Sequence, residues 1–343
     1  MNKILFAGGG TLGPVTPLIA IWRQMKRLRP DIQAIWVGTP TGPERAVVEA
    51  EGIPFFTLPI AKIPRFFGLE LFQFPLRYWK ASQAAKALLE KQKPRLIVSV
   101  GGYMGTPLIR AAAKKGIPCA IHQLDAKPGL SNRAVARLCA SVTTSFAYSK
   151  PVFFGVRAKQ VSTPCRFSDA YKPVSPNKRL RLLFIGGGTG AQGLNDLVAK
   201  TKKELTASFD IVHLAGSGKG KNLKEQGYTQ QEFFTEKQMQ DAYQSSDIVI
   251  ARAGIGTISE CAALHKATIL VPMPHSHQED NVQILGDAVL NINQEKADAA
   301  QELLKAIARF TNASVRAAYG ERMHQQFPTD NGESLARIWL RLI

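Results

Sequence analysis

Leu5-Phe6-Ala7-Gly8-Gly9-Gly10-Thr11 lies near the start of the chain. Leu183-Phe184-Ile185-Gly186-Gly187-Gly188-Thr189 repeats its pattern about 180 residues later. Each is a short apolar run ending in glycines and a threonine, the mark of a buried strand that turns tightly into a helix. Glycines at such a turn leave backbone N–H groups at the positive end of the helix dipole. That environment suits a pyrophosphate or a hydroxyl-bearing substrate, although glycines can also serve the turn alone. No Gly-Lys-Ser/Thr follows either loop, so neither is a P-loop. The first also lacks the strand-end acid of a dinucleotide site. Thr16-Pro17 reads as the N-cap and first turn of the first helix.

Outward from these openings, strand-like runs alternate with helical patterns. The runs are 3–7, 34–37, 95–100, 118–122 and 141–146 in the first half, then 179–185, 210–214, 247–251 and 267–271 in the second. The alternation predicts an α/β protein with parallel sheets flanked by helices. The repeated opening predicts two Rossmann-like domains in tandem that face a central cleft. Pro164, Pro173 and Pro176 place a linker at 163–178, between domains at 1–162 and 179–328. Residues 329–343 form a C-terminal helix whose Leu335, Ile338, Trp339 and Leu342 need an apolar surface, expected on the first domain.

The 343 residues suffice for two such cores, and 45% hydrophobic content is ordinary for a globular chain. Cys119, Cys139, Cys165 and Cys261 are widely spaced with no C-x-x-C pair, which argues against a zinc site or disulfide framework and suits a reducing cytoplasm. No run of about 18 apolar residues could span a bilayer, and residues 1–10 lack a signal peptide's apolar region. A cytoplasmic location is therefore expected.

The formal charge is +18, and 17 Lys/Arg against three acids fall between Lys62 and Lys159. A field so concentrated seeks nucleic acid, anionic lipid or a phosphorylated substrate, unless it only solubilises the surface. The chain carries no RNA-recognition signature, helix-turn-helix or zinc finger, so nucleic acid is not expected as a partner. Within 60–80, Phe66, Phe67, Phe72, Phe74, Tyr78 and Trp79 mix with Arg65, Arg77 and Lys80. That mixture fits a segment lying on an anionic membrane surface, with Phe66, Phe67, Phe72 and Trp79 as its anchors. The alternative is a buried aromatic helix. Pro64 and Pro75 should bracket at most three turns.

The run Ala251-Arg252-Ala253-Gly254-Ile255-Gly256-Thr257-Ile258-Ser259-Glu260 follows a buried-looking strand and leads into a helix. Its glycines admit a ligand close to the backbone, and Thr257 and Ser259 offer donors. Glu260, expected in the first helical turn, either complements the dipole or accepts both ribose hydroxyls of a nucleotide. Further on, His275-Ser276-His277-Gln278-Glu279-Asp280-Asn281 reads as a Pro-flanked polar loop. Its histidine spacing is not a metal motif. Gln278 and Asn281 could read sugar hydroxyls. The chain has no Asp-x-Asp, so a leaving diphosphate would be neutralised by backbone amides and a helix terminus, and no metal or other cofactor is expected.

In this order the motifs resemble the MurG family, the glycosyltransferases that make lipid II, over nearly the whole chain. The first half supplies Gly9-Gly10-Thr11-x-Gly13-x-Val15-x-Pro17, Val100-Gly101-Gly102-Tyr103, His122 and Gly129-Leu130-Ser131-Asn132. The second supplies Pro164-x-Arg166, Gly186-Gly187, Gly190-Ala191, Arg252-x-Gly254, Thr257-x-Ser259-Glu260 and His277-Gln278-x-x-Asn281. The resemblance implies the two-domain GT-B fold, inversion at the sugar, UDP-N-acetylglucosamine as donor and undecaprenyl-linked lipid I as acceptor. It also implies peripheral attachment to the cytoplasmic face of the membrane and no metal in the site. Carried over, Arg166 and Gly188 border the diphosphate. Ile255, Gly256, Thr257, Ile258, Ser259 and Glu260 hold the nucleotide, with Glu260 on the ribose. Gln278 touches the sugar, and Thr189 and Arg252 are further donor contacts. Thr11, Leu12 and Gly13, on the acceptor side, and Asp125 complete the expected contacts.

The chain departs from the family pattern at several places. The family's Gly-Gly-His, whose histidine is often proposed as a base, aligns with Leu12, Gly13 and Pro14. Its His-Glu-Gln-Asn becomes His122-Gln123-Leu124-Asp125, its loop serine is Gly188, and the arginine of its Gly-Ala-Arg is Gln192. Inversion still needs a group to take the acceptor proton. Asp125 is the new carboxylate near this constellation and His122 the second candidate. The alternatives are that Asp125 only hydrogen-bonds a sugar, that the acceptor is another polyprenyl-linked glycolipid, or that the chain binds without turnover.

Overall fold

A computed structural model describes residues 2–59, 69–148, 153–172, 179–187 and 190–343. The chain divides into two compact units, Met1–Pro164 with Asn331–Ile343, and Cys165–Asp330. The division falls at the start of the stretch expected as a linker, and Arg166 belongs to the second unit.

In the first unit, seven strands form a wholly parallel sheet: β1 (Asn2–Ala7), β2 (Ile32–Gly38), β3 (Phe55–Thr57), β4 (Leu96–Ser99), β5 (Cys119–Gln123), β6 (Ser141–Thr144) and β7 (Lys159–Gln160), with β8 (Thr163–Pro164) beyond it. The order is β3-β2-β1-β4-β5-β6-β7. Ile4, Leu5, Phe6 and Ala7 are all fully buried, as a parallel strand covered by helices on both faces requires. The covering helices are α1 (Val15–Leu28), α2 (Glu44–Ala50), α3 (Leu69–Gln92), α4 (Gly105–Ala113) and α5 (Leu130–Val135). Phe6 stacks on Trp36 at 5.7 Å and meets Trp22 edge-on at 5.8 Å, which locks α1 to the sheet.

Two expectations for this unit are corrected. Helix α1 starts at Val15 behind Pro14, and Thr16 is no cap; its hydroxyl donates to the Leu12 carbonyl instead. Pro75 does not end a helix but lies inside the 24-residue α3. Ala81, Ala85 and Leu89 recur at four-residue spacing, are buried, and lie on the helix that packs on α4. Their burial and the good helix formers around them offset the roughly 3 kcal/mol that an interior proline costs.

In the second unit the strands are β9 (Arg181–Ile185), β10 (Asp210–Leu214), β11 (Lys224–Glu225), β12 (Tyr228–Gln231), β13 (Ile248–Ala251), β14 (Ala267–Leu270) and β15 (Leu290–Asn291), with β16 (Thr329–Asp330) beyond them. Their order is β11-β12-β10-β9-β13-β14-β15, parallel except for β11. The helices are α6 (Gln192–Ser208), α7 (Glu236–Ser245), α8 (Ile255–Ala263), α9 (His277–Leu285), α10 (Ala299–Arg309) and α11 (Ala313–Gln326). The sequence reading missed β3, β7, β8, β11, β12, β15 and β16, each of two to four residues and too short to show a period.

The last helix, α12 (Glu333–Leu340), returns to the first unit and packs on α1. Leu335, Ala336 and Trp339 are fully buried, and Glu333 bridges to Arg27 at 2.6 Å.

Each sheet reverses its winding direction beside its first strand, between β1 and β4 and between β9 and β13. Open α/β sheets bind ligands at the carboxyl edge of such switch points. Both glycine loops begin there.

Candidate active site

Strands β9 and β13 are adjacent and in register, with Phe184 opposite Ile250 and Ile185 opposite Ala251. The loops that begin at Gly186 and Arg252 therefore leave the same sheet edge side by side. Gly190 has φ +68°, and a Cβ there would strike the Ala215 carbonyl, so the turn into α6 demands glycine. By contrast, a Cβ on Gly187 or Gly254 would meet nothing within 4 Å among the described residues. Helix α8 starts on Gly254 with no side-chain cap. Its first intrahelical bond is Ile258 N–H to the Gly254 carbonyl at 3.0 Å, which leaves the amides of Ile255, Gly256 and Thr257 without helical acceptors. Gly256 and Thr257 are half-buried, while Ile255, Ile258 and Ser259 are buried. Ser259 donates to the Gly256 carbonyl at 2.8 Å and so braces this turn. Gly188 and Thr189 lie outside the described residues.

Glu260 occupies the second turn of α8, not the first, so it is no dipole partner. It is 6% exposed, and both carboxylate oxygens accept hydrogen bonds: Oε1 from Arg166 Nε at 2.9 Å and Oε2 from the Tyr243 hydroxyl at 2.8 Å. Arg252, expected as a ligand contact, is buried. Its Nη1 donates to the carbonyls of Val271 and Pro272 at 2.8 and 3.0 Å, so it ties the ends of β13 and β14 together. The stretch read as a polar loop instead contains a helix start, because Ser276 caps α9 at His277. The half-buried Gln278 accepts from the Met273 amide at 3.0 Å. Asn281 is fully buried and donates to the Ala253 carbonyl at 3.0 Å, which makes it a strut behind the α8 turn and not a reader of sugar hydroxyls.

At the matching edge of the first unit, Thr11 and Gly13 are exposed and Leu12 is half-buried. The Leu12 carbonyl accepts from the amides of Val15 and Thr16, both at 3.1 Å. Glu44, fully buried, accepts from the Gly10 amide at 3.1 Å and from the Thr39 amide and hydroxyl at 2.6 and 2.5 Å. A Cβ on Gly9 or Gly42 would strike its carboxylate, so a side chain at either position would have to displace Glu44. A Cβ on Gly10 would sit 3.4 Å from the Tyr103 hydroxyl, and one on Gly101 3.5 Å from Asn132 Nδ2. Asn132 donates to Gln123 Oε1 at 2.8 Å, and Gln123 Nε2 donates to the Asp125 carbonyl at 2.9 Å. Hydrogen bonds thus link Asn132 and Gln123 to the backbone of the half-buried Asp125. The Tyr148 hydroxyl donates to the Asp125 and Ala126 carbonyls, and burial with the nearby Asp125 charge pushes its pKa up.

His122, the second candidate for proton transfer, is corrected. It is fully buried, with Nδ1 3.0 Å from the Thr143 hydroxyl and Nε2 3.1 Å from that of Ser145. Burial pushes its pKa down to about 3. A ring held neutral with both nitrogens engaged fastens β5 to β6 and cannot serve a ligand. Among the described residues, no three His, Cys, Asp or Glu are grouped to hold a metal ion.

Residues 4–144 match the glycosyltransferase family 28 N-terminal domain, and residues 181–335 the family 28 C-terminal domain. The UDP-N-acetylglucosamine--N-acetylmuramyl-(pentapeptide) pyrophosphoryl-undecaprenol N-acetylglucosamine transferase of Clostridium botulinum (strain Loch Maree / Type A3) is 33% identical over 309 residues, 85% of this chain and 82% of its own. That of Clostridium perfringens (strain SM101 / Type A) is 32% identical over 315 residues, 88% of this chain and 85% of its own. The chain belongs to the MurG family of glycosyltransferases. In fold it is similar to the crystal structure of Acinetobacter baumannii MurG, with a TM-score of 0.74 at 23% identity over 99% of this chain and 100% of that one.

This MurG-family transferase keeps its described glycine-loop positions at two open sheet edges. Sequence reasoning had no means of finding Tyr243 or Glu44. Tyr243 looks like any helical aromatic and Glu44 like an N-terminal helix acid, and only the tertiary contacts distinguish them. No helix among the described residues is long and apolar enough to cross a membrane. On α3, Phe72 is 83% exposed and Leu76 and Trp79 are each 57% exposed, which overturns the buried-helix alternative at these positions. Phe66 and Phe67 lie outside the described residues.

Proposed function

We propose that the chain moves N-acetylglucosamine from UDP-N-acetylglucosamine to the 4-hydroxyl of undecaprenyl-linked lipid I, giving lipid II with inversion. The observation that carries this reading is the open N-terminus of α8 beside the glycine loop after β9, in a chain 33% identical to transferases of that name. In this reading the amides of Ile255, Gly256 and Thr257, with Arg166, take the charge of the diphosphate without a metal. Glu260 takes the ribose and Gln278 the donor sugar. Bond formation between the acceptor oxygen and the anomeric carbon displaces UDP, and the acceptor proton passes to Asp125. Preorganised amides suit this chemistry because they stabilise developing charge without reorganising.

The acceptor belongs to the first unit. There, Leu12-Gly13-Pro14 in place of the family's Gly-Gly-His favours a second reading, a different polyprenyl-linked sugar as acceptor. Phe72, Leu76 and Trp79, beside Arg77 and Lys80, would rest on anionic lipid at the cytoplasmic face of the membrane.

UDP release with a lipid I analogue tests the reaction. Asp125→Asn should lower turnover about 100-fold or more while UDP affinity stays within about twofold, the size expected for a lost general base. Unchanged turnover would remove Asp125 from the chemistry, and no UDP release by the parent chain would remove the acceptor assignment.

A further inference from the structure

Tyr243 is fully buried on α7, and its hydroxyl meets the carboxylate of Glu260, 17 residues away on α8. Arg166 reaches the other carboxylate oxygen from the segment that opens the second unit. The Arg166 guanidinium lies 4.6 Å over the Phe167 ring, and the Phe167 and Tyr243 rings pack edge to face with centroids 6.1 Å apart. Two side chains from distant parts of the chain thus converge on one carboxylate, with the Phe167 ring packed between them.

A carboxylate has about four lone-pair positions. The two bonds take one on each oxygen and leave one on each. They also set the carboxylate plane, since rotation of the group would break one bond or the other. Two adjacent hydroxyls of a ribose require such an arrangement, with two acceptors side by side and fixed in direction. Burial and the Glu260 charge raise the Tyr243 pKa well above its ordinary value, so the phenol stays a donor.

We propose that Tyr243 is a positioning residue which, with Arg166, orients Glu260 to accept both ribose hydroxyls and makes the site selective for ribonucleotides over 2′-deoxyribonucleotides. The proposal rests on the reading that Glu260 takes the ribose. A carboxylate free to turn would satisfy one hydroxyl nearly as well as two, so loss of the clamp should erase the discrimination before it erases binding.

The test is calorimetric titration of the full chain with UDP and with 2′-deoxy-UDP. The parent chain should prefer UDP by about tenfold, the scale of one charge-assisted hydrogen bond. Tyr243→Phe should bring the ratio close to one, mainly by weakening UDP, while its far-UV circular dichroism stays that of the parent. Glu260→Gln should collapse the ratio as well. If Glu260→Gln collapses it and Tyr243→Phe leaves it intact, the positioning role is wrong and the ribose reading stands. If the parent shows no preference, or Glu260→Gln retains one, the ribose reading itself falls. Should Tyr243→Phe not fold, Arg166→Lys decides the matter, because it keeps the charge but loses the Nε geometry. A ratio reduced at least threefold supports the clamp, and an unchanged ratio overturns it.

Discussion

Glu260 and His122 were both marked by their sequence motifs, and their surroundings decide what each can do. Glu260 keeps a small exposed edge and two fixed partners, while His122 has no exposed surface and two hydroxyl partners of its own. The His122 pKa has a consequence for stability. It is about 3 in the folded chain against an ordinary value near 6.5, so between those values the unfolded chain binds a proton that the folded chain refuses. The contribution of neutral His122 is fully present above about pH 6.5 and is lost as pH falls towards 3. His122→Gln should therefore flatten the acid side of the stability profile of the first unit, measured by denaturant titration between pH 3.5 and 7. An identical slope in parent and variant would mean that the ring is charged inside the fold. The motif pointed to the position, but it could not tell a ligand contact from a strut, because that depends on Thr143 and Ser145 two strand positions apart on β6 and its end.

Helix α3 has two tasks along its length. Its later turns bury Ala81, Ala85 and Leu89, while Phe72, Leu76 and Trp79 stand at spacings of four and three and so share one exposed face. Leaving three large apolar side chains in water forfeits roughly 1.5–3 kcal/mol for each one that could be buried. A lipid surface would recover part of that. Phe72→Ser with Trp79→Ser should abolish sedimentation with vesicles containing phosphatidylglycerol and leave UDP binding and the thermal melt unchanged. Equal vesicle binding by parent and variant would show that the stripe does not meet lipid. Pro75 misled the sequence reading here, since a local rule about proline was outweighed by packing further along the same helix.

At the scale of the molecule, the chain builds one winding pattern twice, and α12 then returns to the first unit. Gly332 makes that return possible. It has φ +93°, and a Cβ would lie 2.7 Å from the Ile21 amide nitrogen, so both the backbone conformation and the close approach to α1 exclude a side chain. Gly332→Ala should lower the Tm of the first unit by several degrees, consistent with roughly 2 kcal/mol. The melt of the second unit, followed by UDP protection, should stay in place. A variant as stable as the parent would show that α12 contributes little to the first unit. The sequence showed the apolar stripe of α12 but not the reason its approach needs glycine, which lies 311 positions earlier in the chain.

Local order along the chain was enough to determine the two glycine-loop openings, the main buried strands and the family, because a parallel strand covered on both faces must be continuously apolar and a tight turn must be glycine. The sequence also located the exposed aromatics of α3 and singled out Glu260 and Asp125. Only the tertiary structure decided which polar groups are spent inside the fold. His122, Arg252 and Asn281 are fastened to partners far away in sequence, and Glu260 is oriented by Arg166 and Tyr243. Hydrogen-bond partnership depends on distance in space, and residues 94 or 17 positions apart leave no periodic trace by which a sequence could reveal that they meet.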